Sequence, residues 1–182
     1  EHQYNDQKEI FWASGAALFI KSRCWKEVGG LDPDFFAHME EIDLCWRLKN
    51  LGYKIIYCPA AEVYHVGGGT LNSNNPYKTY LNFKNNLVIM QKNLPLADAY
   101  SRIFIRMSID FIAWIHFLVQ GKTQFAWAIN KAHYHFLCSL SKNSAKRTAR
   151  QVPFLKHTGQ YPSSIVWAYL IKNIRYFSQL GI

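Results

Sequence analysis

The chain has 182 residues, 21 Lys and Arg against 12 Asp and Glu, and a formal net charge of +9. With 49% apolar and 16% aromatic residues it can bury a core, which excludes intrinsic disorder. Cys24, Cys45, Cys58 and Cys138 lie far apart with no C-x-x-C spacing, which argues against a disulfide scaffold, a zinc ribbon or a redox pair. They read as buried, reduced thiols of a cytosolic protein.

The charge is polarised. Residues 1–95 carry ten basic and ten acidic side chains and residues 96–182 carry eleven and two, so the whole excess falls in the second half. That imbalance points to an anionic partner, a membrane surface or a nucleic acid. The start is polar, without a basic and then apolar leader and without an initiator Met, so the chain reads as a piece of something longer.

In chain order, Gly15–Ile20 is a short apolar run of buried-strand type. Ser22 is placed to cap one or two helical turns over 23–28, closed by Gly29-Gly30. Leu31-Asp32-Pro33-Asp34 is a turn. Leu44, Cys45, Leu48 and Leu51 predict a helix over about 41–51, with Gly52 just past its end. Residues 53–58 read as a strand stopped by Pro59. Residues 60–65 are extended and lead into Gly67-Gly68-Gly69, a hinge-like loop. Asn75-Pro76 opens a long helix that ends before Pro95.

The rest is helical in character. Over 103–119, Arg106, Asp110, Ala113, His116 and Gln120 draw one narrow stripe down an otherwise apolar helix. Its central charges count against a spanning segment. It is either a core helix or one partly sunk in a bilayer interface. Amphipathic helices are expected over 124–140 and 164–180, joined by a basic run holding Lys142, Lys146, Arg147 and Arg150. That run reads as an interfacial membrane contact or as a solvated linker.

Glu40-Glu41-Ile42-Asp43 puts three carboxylates into four residues at a helix start. Asp43 and Arg47 are four apart and can pair, leaving Glu41 to project into a cleft. Acidic residues are also common there because they complement the helix dipole. His65, at a strand end beside the glycines, can ligate a metal through its neutral ring nitrogen, although a lone histidine is more often structural.

Trp12-Ala13-Ser14-Gly15-Ala16-Ala17-Leu18-Phe19-Ile20-Lys21, then Val28-Gly29-Gly30-Leu31-Asp32, Phe35-Phe36, Glu40-Glu41-Ile42-Asp43-Leu44, Gly52-Tyr53, Pro59 and Tyr64-His65 follow one another in order over about residues 10–95. Together they resemble the carboxyl half of a family 2 glycosyltransferase catalytic domain. The later helices are similar, more loosely, to the carboxyl-terminal region of bacterial members that build surface polysaccharides.

This resemblance implies an inverting enzyme with an α/β, A-type, Rossmann-like domain followed by an α-helical tail. Residues 1–95 would be its acceptor-side half and residues 96–182 a basic, membrane-associated helical region. Glu41 takes the place of the family's general base, usually Asp, while Glu40 and Asp43 orient the site and touch the acceptor. Trp12, Ser14, Gly15 and Arg47 fall at acceptor-binding positions, and His65 matches a late metal-ligand histidine.

The processive members' Gln-x-x-Arg-Trp motif is absent, which implies transfer of one sugar per encounter. The family's nucleotide-binding half, with an Asp-x-Asp that helps hold Mg or Mn, would precede residue 1. Asp32-Pro33-Asp34 shares that spelling but sits in a structural turn. The implied partners are a nucleotide-sugar donor, a glycan or lipid-linked acceptor, an anionic membrane at the inner face of the cell, and a second copy of the chain. The isolated chain is expected to be inactive. The rival reading is a non-catalytic membrane-surface or partner-binding module. Nucleic-acid binding is disfavoured because the basic residues accompany wide apolar faces.

Overall fold

The structure is a computed structural model and describes residues 5–65 and 74–180. The three-glycine hinge expected at 67–69 lies outside the described residues. Strand β1 (Lys8–Ile10) pairs antiparallel with β2 (Ile55–Tyr57), Glu9 opposite Ile56. Helices α1 (Ser22–Val28) and α2 (Glu40–Asn50) lie between them, followed by α3 (Pro76–Asn93), α4 (Leu96–Val119), α5 (Thr123–Cys138), α6 (Leu140–Ala145) and α7 (Ile165–Leu170).

Most boundaries follow local chemistry. The Asn75 carboxamide accepts the Tyr77 N–H at 2.9 Å and Pro76 occupies the first turn of α3. Gly29 ends α1 at φ +74°, in the left-handed region where a Cβ is unfavourable. Ser22 is already inside α1, and the capping position is taken by Lys21 without a side-chain bond.

Several expectations are corrected. The sheet of the described residues is one two-stranded antiparallel ribbon, and the rest of their regular structure is helical. The run over 15–20 makes a single 3-10 turn, Gly15–Ala17, and then an extended segment. Leu18 and Ile20 pack inward against Cys24, Leu44 and Leu48 while Phe19 stays 97% exposed, so the segment keeps strand-like alternation without being buried on both faces. The helix expected over 164–180 stops at Leu170, and the backbone turns at Asn173 (φ 54°). Of its described side chains only Ala168 is buried, too little tertiary cover to propagate a short helix. Cys24 and Cys45 are buried thiols, but Cys58 and Cys138 are exposed; all four are unbridged.

The core crosses the 95/96 boundary. Phe11, Phe35 and Trp46 from the first half pack with Leu87, Val88, Leu94, Ala99, Ile103 and Phe136. A buried polar network runs beside it. Asp43, fully enclosed at 0% exposure, accepts from Arg47 Nε at 2.8 Å, Lys92 Nζ at 3.0 Å and Asn93 Nδ2 at 2.9 Å. Asn50 donates to the Asn93 carbonyl at 3.1 Å and accepts the Val152 N–H. Gln91 donates to the Leu140 carbonyl at 2.9 Å and accepts from Asn143. Apart from Asn93 Oδ1, which has no partner among the described residues, the polar side chains of this network exchange water for fixed partners, the condition under which such burial is tolerated.

Much of the basic run is tied to the rest of the fold by ion pairs and hydrogen bonds. Lys146 bridges Asp32 (2.6 Å) and Asp34 (2.5 Å), and Lys142 pairs with Asp34 at 2.7 Å. Arg147 donates to the carbonyls of Gln91 and Leu94. Burial alone would push the Asp32 carboxyl up, but the ammonium groups of Lys146 and Lys92 outweigh that and hold it well below the usual carboxylate range. Lys142 and Lys146 hold Asp34 down as well.

Helix α4 is inverted relative to a surface helix. Asp110 points inward, bonded to Arg106 (2.7 Å) and to His133 of α5 (3.0 Å). Phe104 (73%), Ile112 (67%) and Val119 (83%) face outward. The segment 103–119 is thus packed along one face, where Ile103 enters the core, and exposed along the other. No helix among the described residues is long and apolar enough to cross a membrane.

Removing Asp43 would leave the buried Arg47 without an anion and would take one of the two carboxylates from the buried Lys92, so Asp43→Ala is expected to cost ~3–5 kcal/mol in urea unfolding. A loss under about 1 kcal/mol would show that the network is not what holds α2 to α3. The Asp32 and Asp34 carboxyls bind protons more weakly folded than unfolded. Their stabilisation is thus complete above the unfolded value near ~3.9 and fades as pH falls through the folded values. As pH falls from about 4 to 2 the urea midpoint of the native chain should drop more steeply than that of the Asp32→Asn/Asp34→Asn double variant. Parallel pH profiles would refute this, and at neutral pH the double variant should lose ~1 kcal/mol per partly exposed pair.

Candidate functional site

The acidic helix start is delivered by an unusual loop. The Asp32 carboxylate accepts the Asp34 N–H at 3.1 Å and opens a 3-10 turn over Pro33–Phe35. Phe35 is buried in the core and anchors that turn. Phe36, His38 and Met39 then adopt φ of 61°, 65° and 78°, a region that side chains disfavour. The chain enters α2 directly from Met39, without a side-chain cap, and Glu40, Glu41 and Asp43 fill its first turn.

Glu40 and Glu41 are half-buried, and each has one oxygen, Oε2, without a hydrogen-bond partner; His38 Nε2 is likewise unpartnered. Burial pushes the Glu41 carboxyl above its ordinary range, and the like charge of Glu40 adds to this, against smaller opposing effects of the Glu41 backbone N–H and of His38. Glu41 therefore combines an ionisable group, raised proton affinity and unfilled bonding capacity, a combination concentrated at catalytic carboxylates.

The segment after β1 covers this face of α2. A Cβ built on Gly15 would lie 3.9 Å from the Glu41 Cβ, so Gly15 sits directly against the acid. Ser14 caps the 3-10 turn by accepting the Ala16 N–H at 3.3 Å. Gly15 thus brings this segment's backbone against Glu41, and Trp12 and Ser14, on the same segment, are exposed with it. Beneath them burial pushes the Cys45 thiol up, toward its neutral form.

The other expected residues are placed differently. Asp43 is sealed from solvent by Arg47, Lys92 and Asn93, so contact with an acceptor is closed to it and orientation of α2 remains. Arg47 is buried as well. It donates to Asp43, to the Val28 carbonyl (2.5 Å) and to the Gly30 carbonyl (2.7 Å), which fixes α1 to α2 and leaves no reach to an acceptor. His65 is exposed at the edge of the described residues. Among those residues no group of three or more His, Cys, Asp and Glu side chains could hold a metal ion, so they do not fit a metal by themselves.

Sequence reasoning passed over Asn85 and Lys92, which α3 turns toward this loop. Leu81, Asn85, Val88 and Lys92 are spaced 4, 3 and 4 apart, one face of a helix. Two polar residues on a stripe with Leu and Val were the available signal of a buried partner.

Residues 2–82 match the family described as Glycosyltransferase like family 2. Within curated proteins, N-acetylglucosaminyl-diphospho-decaprenol L-rhamnosyltransferase of Mycobacterium tuberculosis (strain ATCC 25618 / H37Rv) is 37% identical over 59 residues, 32% of this chain and 19% of its own length. Rhamnosyltransferase WbbL of Escherichia coli (strain K12) is 33% identical over 56 residues, 31% of this chain and 21% of its own. Low-salt glycan biosynthesis hexosyltransferase Agl10 of Haloferax volcanii is 26% identical over 112 residues, 59% of this chain and 35% of its own. The matched stretches thus span about a fifth to a third of these relatives. No solved structure matches the chain. The part that builds the acidic loop and the segment covering it, residues 2–82, is therefore similar to the glycosyltransferase family 2-like domain.

Proposed function

We propose that this chain contributes the acceptor side of an inverting glycosyltransferase of A-type fold, acting in the synthesis of a surface glycan. The observation that carries the reading is Glu41, a half-buried carboxylate with raised proton affinity and an unpartnered oxygen, beside the exposed Trp12-Ser14-Gly15 segment. Glu41 takes the proton from an acceptor hydroxyl while that oxygen attacks the anomeric carbon of a nucleotide-sugar. The bond to the nucleoside diphosphate breaks in the same displacement, and configuration inverts. Trp12 supplies a face for stacking an acceptor sugar, and Ser14 with the Gly15 backbone supplies polar contacts. Glu40 keeps a like charge near Glu41 and so helps maintain its basicity. His65 would serve as one ligand of a Mg or Mn ion completed by other side chains; the proton transfer to Glu41 is independent of it.

The outward apolar face of α4 supports a second element of the proposal, docking at an anionic membrane, where a lipid-linked acceptor would lie. Phe104, Ile112 and Val119 would enter the interface, with the chain's surplus cations facing lipid headgroups.

In the full-length protein, Glu41→Gln should lower kcat by ~100-fold or more, with donor affinity within about twofold of wild type. Because the Glu41 carboxyl is raised and must be ionised to act, the acid limb of the wild-type kcat/KM profile should fall above pH 4.5. A Glu41→Gln enzyme that keeps most of its turnover removes Glu41 from the role. Flotation with phosphatidylglycerol vesicles should carry the protein upward at low salt and lose it near 1 M salt. Phe104→Ser/Ile112→Ser should abolish flotation, and absence of binding by the native protein at low salt would overturn the docking element.

A further inference from the structure

Three backbone carbonyls of the loop before Glu40 converge on one side chain. Asn85 of α3 is fully buried, and its Nδ2 lies 3.0 Å from the Phe35 carbonyl, 3.0 Å from the Ala37 carbonyl and 2.8 Å from the His38 carbonyl. An amide has two hydrogens, so three acceptors share them. The opposite orientation of the carboxamide would set its oxygen against three carbonyl oxygens, which leaves a single acceptable rotamer. Its Oδ1 has no partner among the described residues, so a buried acceptor is left unsatisfied to keep the two donors in place.

The carbonyls held this way belong to the stretch that contains the left-handed Phe36, His38 and Met39. Non-glycine residues in that region cost ~1–3 kcal/mol each and persist only when the surroundings over-determine them. Here the surroundings are Asn85 at the centre, Lys84 donating to the Asp34 carbonyl at 3.1 Å on one side, and the Asp43 N–H donating to the Met39 carbonyl at 2.8 Å on the other. The path of this loop fixes where Glu40 and Glu41 leave α2.

We propose that Asn85 is a positioning residue for Glu41: its carboxamide holds residues 35–39 in the left-handed path that aims the candidate base at the acceptor. This rests on the reading of Glu41 as the base. No polar replacement reproduces it. Asp would place an acceptor against three acceptors, Ala would take the side-chain donor from all three carbonyls and leave the Phe35 oxygen only the Ala37 N–H, and Ser retains one hydrogen of the two. Gln91, a second buried carboxamide on the same helix, holds the Leu140 carbonyl and Ser144 Oγ instead and provides the control, a comparable buried bond that does not touch the loop.

The test uses the full-length protein, with turnover normalised to the folded fraction. Asn85→Ala should lower kcat at least ~10-fold, since small misplacements of a reacting group are costly. Donor KM should be unchanged, and Asn85→Ser should fall between it and wild type. Gln91→Ala should lose stability but keep kcat within about twofold. Combining Asn85→Ala with Glu41→Gln should add almost nothing to Glu41→Gln alone, because the loop then has no base to aim. Hydrogen exchange gives a readout without activity: amides of residues 36–41 should exchange faster in Asn85→Ala and Asn85→Ser, and at the native rate in Gln91→Ala. Wild-type kcat in folded Asn85→Ala overturns the proposal, and so does an equal kcat loss in Gln91→Ala. Should Asn85→Ala fail to fold, Asn85→Ser decides by the same two readouts. An active Glu41→Gln enzyme would overturn the base assignment itself, whereas an inactive one beside a fully active Asn85→Ala would overturn only the positioning role.

Discussion

The Asp43 carboxylate is the constraint on which the rest depends. A fully enclosed carboxylate is tolerable only with its charge matched and its lone pairs filled, and three groups do this from two helices. Arg47 satisfies it from within α2, while Lys92 and Asn93 reach across from α3. The Arg47 guanidinium has donors left over, and these take the Val28 and Gly30 carbonyls, so the end of α1 is tied to the same point. Lys92 continues the network to Asp32, whose other oxygen is held by Lys146 of the distant basic segment. One buried charge thus fixes α1, α2, α3 and the acidic turn relative to one another.

This arrangement changes the meaning of the charge imbalance. The basic second half is partly consumed inside the molecule, where Lys142 and Lys146 neutralise Asp34 and Asp32. The apolar surface of α4 is a separate feature. It exists because the inward face of that helix is narrow, made of Ala99, Ile103 and Asp110 with its Arg106 and His133 contacts, which leaves the wider apolar side outside. Charge and apolar exposure were adjacent in sequence, but the fold assigns them different work.

The acidic loop shows the same division between structure and chemistry. Three acidic or amide groups at or beside the start of α2 differ in environment. Asp43 is saturated with donors and serves packing. Glu41 is half-buried with an open oxygen and a raised affinity for protons. Asn85 spends its donors on the loop backbone. Proximity in sequence could not separate these roles, because the separating quantity is how many donors each group meets from elements far along the chain.

The sequence by itself determined the helix starts and stops that local chemistry controls. Asn75-Pro76 opened α3, Gly29 closed α1, and the spacing of Leu44, Cys45 and Leu48 produced α2 with Asp43 and Arg47 in register to pair. It also made the acidic cluster and Trp12-Ser14-Gly15 legible as one candidate site. The tertiary structure decided what periodicity leaves open: that Phe19 stays exposed beside inward Leu18 and Ile20, that Arg47 is buried and not at an acceptor, and that the helix after Ser164 ends early. It also decided that a basic run closes on Asp32 and Asp34. The physical reason is common to all of them. Burial, ion pairing and loop conformation are set by partners tens of residues away, and such partners leave no mark in the local pattern until α3 brings them together.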